Sequence, residues 1–134
     1  MIYEFEIDPV NGLMLVNIML DEMHEFKMML DTGASNTTFD FNPLYIARYP
    51  VSKIIETGTV ETASGLMQVD IIQTKAISAF GHTVRDMKVQ MYDFLKYGIM
   101  ADYDGVLGLD FFKNTKFTID LINQTIEILE VKPA

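Results

Sequence analysis

The stretch Lys27-Met28-Met29-Leu30-Asp31-Thr32-Gly33-Ala34-Ser35 decides the reading of this chain. Phe26, Met28 and Leu30 alternate with Lys27 and Met29, the period-two pattern of a strand with one buried face. That strand runs straight into a lone carboxylate, Asp31, and then into a turn of small residues. Gly33 permits close backbone approach, and Thr32 offers a hydroxyl that can tie the turn down. A bare Asp-Thr-Gly is usually an Asx turn after a strand, so by itself it identifies nothing.

A second stretch changes its meaning. Asp104-Gly105-Val106-Leu107-Gly108-Leu109-Asp110-Phe111-Phe112 begins 73 residues further on, from 31 to 104. Two glycines bracket an apolar pair, and one or two helical turns are predicted over residues 109–114. In this order and spacing the two stretches resemble the motifs of retropepsin-like aspartic proteases, the single-lobe relatives of pepsin. Met29-Leu30-Asp31-Thr32-Gly33-Ala34-Ser35 is similar to the family's catalytic loop, and Val106-Leu107-Gly108 to its second motif. The version beginning at Asp104 is most similar to cellular and bacterial members. A hairpin predicted from Glu61 to Asp70, with its tip at Ala63-Ser64-Gly65, falls where the family carries its flap. The resemblance extends from about Leu13 to Val131.

The resemblance implies one domain over residues 1–134 and a mostly β fold. That fold is a single-lobe, closed β barrel of the acid-protease (retropepsin-like) type, with one or two short helices and a flap hairpin. It implies an aspartic endopeptidase acting on peptide or protein substrates with no cofactor and no metal. Asp31, Thr32 and Gly33 would be the catalytic residues: Asp31 as the carboxylate, Thr32 bonding across a two-fold axis, and the Gly33 backbone keeping the carboxylates coplanar. Ala34 and Ser35, with Ala63, Ser64 and Gly65 at the flap tip, would contact substrate. Asp104, Gly105, Leu107 and Gly108 would form the supporting loop. Departures are visible too. Leu109 stands where retroviral members carry arginine, Ala34 where pepsin-like lobes carry serine, and the segment from Phe94 to Asp102 is an extra loop.

Chemistry adds a second partner. Peptide hydrolysis by carboxylates needs one group as base and one as acid. The chain has a single Asp-Thr-Gly, so a homodimer with one Asp31 from each copy is expected, its two carboxylates sharing a proton across a two-fold axis. The alternative is a catalytically weak or inactive module of the same fold that binds peptides or dimerises, because a fold does not guarantee an activity.

Composition removes other classes. The 134 residues include no cysteine, which excludes disulfides and thiolate chemistry. Two histidines, His24 and His82, make a multi-histidine zinc site improbable. The net charge of −9 repels nucleic acid, so no nucleic-acid partner is expected. The start, MIYEFEIDPV, has no basic region or long apolar run, and the most apolar run, Leu13 to Leu20, is too short for a membrane span. A cytoplasmic protein with no membrane partner is the expectation.

The remaining pattern is of short strands without βαβ alternation. Strands are predicted at Tyr3 to Ile7, Leu13 to Leu20 and Met67 to Ala76, around Met87, Val89 and Met91, around Phe117, Ile119 and Leu121, and at Ile126 and Ile128. Asn42-Pro43 reads as a helix start, with Pro50 marking its end.

Overall fold

The computed structural model describes residues 1–63 and 65–133. Strands β1 (Ile2–Glu4) and β2 (Glu6–Ile7) lead into a hairpin of β3 (Met14–Leu20) and β4 (His24–Leu30). β5 (Thr38–Asp40) runs directly into the helix α1 (Phe41–Ile46). A 3-10 turn at Val51–Lys53 precedes the long hairpin of β6 (Ile54–Thr62) and β7 (Gly65–Gln73). A second hairpin follows, β8 (Ala76–Ala79) with β9 (His82–Arg85). Then come β10 (Lys88–Tyr92), a 3-10 turn at Leu95–Tyr97, and β11 (Gly105–Leu107). The last pair is β12 (Thr115–Asp120) and β13 (Thr125–Val131).

Two sheets result. The large one has the order β6-β7-β10-β5-β11-β4-β3-β8-β9, with β2 added beside β3; the small one is β1-β13-β12. The mostly β class is as expected, but the barrel closure is not. Among the described residues, β6 pairs with β7 and β9 with β8, each its own hairpin partner, and no pairing joins these two ends. The sheet is therefore open.

The core follows the alternation read from sequence. Phe26, Met28 and Leu30 of β4 are buried, as are Val89 and Met91 of β10 and Met87 just before it. They pack with Phe39, Leu107 and Phe111, all fully enclosed. Leu121 departs from the pattern: it lies in the turn after β12 and is exposed. The β3–β4 turn is polar for a reason. Both nearby backbone N–H groups, of Lys75 and Ala76, donate to Asp21 Oδ1, and the Tyr49 hydroxyl donates to Asp21 Oδ2 at 2.6 Å. Burial, then the Asp21 carboxylate, pushes the Tyr49 hydroxyl far up, so it stays a donor.

Both helical expectations shift. α1 is capped by Asp40, whose side chain accepts the Asn42 N–H at 3.2 Å, so the helix opens at Phe41 and Asn42 lies inside it. The predicted helix over 109–114 is a run of turns, with Phe112 N–H on the Leu109 carbonyl at 3.0 Å. Asp110 explains this: its own carboxylate takes the Phe111 N–H at 2.9 Å, competing with a regular backbone ladder.

Candidate active site

The strand order explains why the two sequence motifs belong together. β11 lies between β4 and β5, parallel to β4 and antiparallel to β5. The segment joining β4 to β5 must therefore cross the end of β11. That segment is residues 31–37, the Asp31 loop. Leu107 is level with Leu30, so Gly108 lies directly beneath the crossing. A methyl group built on Gly108 would come within 2.8 Å of the Asn36 backbone carbon and 2.9 Å of the Ala34 oxygen. Leu109 N–H then donates to the Ala34 carbonyl at 2.8 Å, and Asp31 N–H to the Leu107 carbonyl at 3.1 Å. The loop is sewn to the second motif at both of its shoulders.

Asp31 sits half-buried at the close of β4. Its Oδ1 accepts the Gly33 N–H at 2.9 Å, and its carbonyl accepts the Ala34 N–H at 3.1 Å. The loop therefore folds back on its own carboxylate and fixes its direction. Thr32, Gly33 and Ser35 are exposed, and Ala34 is half-buried. Asp104 and Gly105 lie at the opposite end of β11. Asp104 Oδ2 accepts the Lys27 N–H at 2.9 Å, and its backbone bonds both Lys27 and Asp40. These two residues hold β11 in place rather than touch Asp31.

Sequence reasoning missed the pair that clamps the loop. Thr37 is fully buried, and its hydroxyl donates to Asp110 Oδ1 at 2.6 Å while its N–H donates to Asp110 Oδ2 at 2.8 Å. The same hydroxyl accepts the Gly108 N–H at 3.1 Å. Two polar groups of the second stretch, the Gly108 N–H and the Asp110 carboxylate, thus meet at the Thr37 hydroxyl. No local pattern marks the pair, because its members lie 73 residues apart. Thr37→Val keeps the shape but strips the Gly108 N–H of its partner and the Asp110 carboxylate of its hydroxyl donor. It is expected to lower unfolding free energy by about 2 kcal/mol in denaturant titration.

The β6–β7 hairpin stands at the edge of the large sheet, separated in strand order from β4 by β10, β5 and β11. It is longer than predicted and its register runs out to Thr62 opposite Gly65. Gly65 adopts φ of 118°, a conformation that favours glycine. Ala63 lies in its turn; Ser64 lies outside the described residues.

The extra loop after β10 also has a structure. Asp93 Oδ1 accepts Asn42 Nδ2 at 2.9 Å and the Lys96 N–H at 3.2 Å. Asn42, then the Lys96 backbone, holds the Asp93 carboxyl below the usual carboxylate range. A carboxyl lowered on folding contributes stability above its unfolded value and loses it only as pH falls through the folded one. The loop start thus stays tied in mildly acidic solution. Among the described residues, no group of three or more His, Asp or Glu side chains is gathered as for a metal ion.

A family model described as aspartyl protease matches residues 16–111, from β3 through the second motif and more than half of the chain. The chain is similar in structure to a retropepsin-like aspartic protease from Rickettsia conorii. The TM-score is 0.66 at 21% identity, covering 96% of this chain and 98% of that one. At that identity the likeness speaks to the fold. Comparison with curated proteins gives no match.

Proposed function

We propose, because this chain belongs to the aspartyl protease family and has the retropepsin-like fold, that two copies form one aspartic endopeptidase site. Each copy contributes Asp31. The observation that carries this reading is a single carboxylate, aimed by the Gly33 N–H on a loop whose outer residues, Thr32, Gly33 and Ser35, are exposed. One such loop is half of an acid–base pair; a two-fold axis supplies the other half with the same sequence.

Between two Asp31 side chains, one carboxylate is ionised and one protonated, because charges that close do not both form readily. The ionised group takes a proton from a water molecule, and the water oxygen bonds to the scissile carbonyl carbon. The protonated group gives its proton to the carbonyl oxygen. The tetrahedral intermediate then collapses and the C–N bond breaks: the group that took the water proton gives it to the departing nitrogen, and the other takes a proton back from a hydroxyl of the intermediate. The products are one carboxylic acid and one amine. Thr32 bonds across the axis. An extended peptide pairs with the Ala34–Ser35 backbone and with the flap tip at Ala63, Ser64 and Gly65, as an added strand. The Asp104, Gly105, Leu107 and Gly108 backbone keeps the loop in register with β11.

Exposed apolar side chains on the small sheet support pairing of two copies. Ile2, Leu129 and Val131 are all about half exposed or more. No described helix is long and apolar enough to cross a membrane, and a cysteine-free chain suits the reducing cytoplasm proposed as its place of action.

A mixed peptide library, incubated with the wild type from acidic to neutral pH, tests the reading. Cleavage that Asp31→Asn abolishes, by a protein sedimenting as a dimer at micromolar concentration, supports it. Equal cleavage by both, none by a verified dimer, or a strict monomer overturns it. Ala34→Ser adds a check on the shared proton. A serine hydroxyl donating to the ionised carboxylate favours that form, so the proton leaves at lower pH. The upper pH limit of activity is expected to fall by about one unit, the effect of one ordinary hydrogen bond.

A further inference from the structure

The pairing of β7 with β10 runs only as far as Asp70 opposite Met91. Beyond it β10 ends at Tyr92, while the β6–β7 ribbon continues to Thr62 and Gly65 with no third strand in the pairing among the described residues. A lone two-stranded ribbon is marginal in water. Alternate residues of a strand present their N–H to the same edge, so Gln68 faces the side that Asp70 gives to β10. There the Gln68 N–H donates to the Tyr97 hydroxyl at 2.9 Å.

Tyr97 is itself well braced. Its ring stands edge-on to Tyr92 at 6.0 Å, and Tyr92 packs against Phe94 at 4.8 Å. Phe94 is buried, and its N–H donates to Asp40 Oδ1 at 3.1 Å. The same Asp40 caps α1. Gly98, at φ of 78°, ends the turn that carries Tyr97. Gln68 and Tyr97 both line a groove of about 250 Å³, together with Asp70, Tyr92 and Lys96. The hydroxyl therefore joins a fixed turn to a strand that has run past its last sheet pairing.

We infer that Tyr97 is a positioning residue for the flap: its hydroxyl extends the anchored part of β7 two residues past the sheet, and so sets where the hairpin rests over the cleft. Its catalytic consequence rests on the proposed peptidase reading. A flap held near its closed position has less freedom to lose when peptide binds. Loss of the latch raises KM and leaves the chemistry at Asp31 nearly untouched.

Tyr97→Phe removes the hydroxyl and keeps the ring. The Gln68 amide is expected to exchange with solvent about tenfold faster in this variant, the factor that an ordinary hydrogen bond supplies. Phe39 and Leu107 amides in the sheet centre keep their rates. KM for a peptide that the wild type cleaves rises about three- to tenfold, with kcat within about twofold. Equal Gln68 exchange in the two proteins overturns the inference, and so does faster exchange with unchanged KM. A wild type that cleaves nothing counts against the peptidase reading instead. The Gln68 comparison then decides the latch by itself.

Discussion

Asp31→Asn chains are expected to fold, dimerise and poison the wild type when the two are mixed. The amide is the same size as the carboxylate, and its oxygen can still accept the Gly33 N–H seen on Oδ1. What it cannot do is hold or release the shared proton. Purified Asp31→Asn should lose at least about 10³-fold in kcat, within the range for removal of a general acid–base group. Mixing separates a two-chain site from a one-chain site. With a ninefold excess of variant and random pairing, about 1% of dimers carry two aspartates, and activity per wild-type chain falls about tenfold. A one-chain site shows no fall. Initial rates after mixing and re-equilibration give the answer, and an unchanged rate per wild-type chain would falsify the shared site.

Gly105→Ala is expected to damage the fold more than any other single methyl group on this chain. Gly105 opens β11, with Met28 beside it on β4 and Phe39 on β5. An added Cβ overlaps the Thr38 carbonyl oxygen and approaches Phe39 Cα at 3.0 Å. Both are backbone atoms of the neighbouring strand and cannot rotate aside. Met28 Cε, at 2.9 Å, is the one neighbour able to move. The sheet must splay at its centre, at a cost of about 3 kcal/mol, the upper end for overpacking. Tm should fall by about 10 °C. Activity should fall with it, because the Asp31 N–H is tied to Leu107 on the displaced strand. Gly58→Ala is the control: an added Cβ there meets nothing within 4 Å, and stability should change by less than about 0.5 kcal/mol. Similar losses for both variants would mean that close strand approach at Gly105 is not what the glycine serves.

Much of the fold was legible because its signals are local. Alternating burial in β4 and β10 is a period-two property of five to seven residues. The flap hairpin was legible from small residues at its turn, although its strands run longer than the sequence suggested, since the exposed residues of β6 carry no apolar alternation to mark them. The α1 start was misplaced by two residues because Asp40 and Asn42 are both good caps. The choice between them was made by the extended backbone of Asp40, which already belongs to β5. Barrel closure was an expectation about how distant edges meet, and no local pattern encodes it.

The candidate site divides the same way. Asp31-Thr32-Gly33 and the glycine-bracketed Val106-Leu107 were readable as motifs, and the resemblance they carry implied the chemistry now proposed for them. Thr37 and Asp110 were invisible as partners, because a threonine before a strand and an aspartate in a turn are common everywhere. Tyr97 lies in the extra loop, whose sequence shows no periodic pattern, and only the fold brings its hydroxyl to β7.

By itself, then, the sequence determined the strand-forming segments and the single Asp-Thr-Gly, on which the proposal of a second copy rests. Each depends on residue identity, short-range periodicity or a count. Only the tertiary structure decided that β11 lies between β4 and β5, so that the Asp31 loop must cross Gly108. Strand order is set by which buried faces pack together across many residues of chain. The Thr37–Asp110 clamp and the Tyr97–Gln68 bond exist only once that packing has brought their elements within hydrogen-bonding distance.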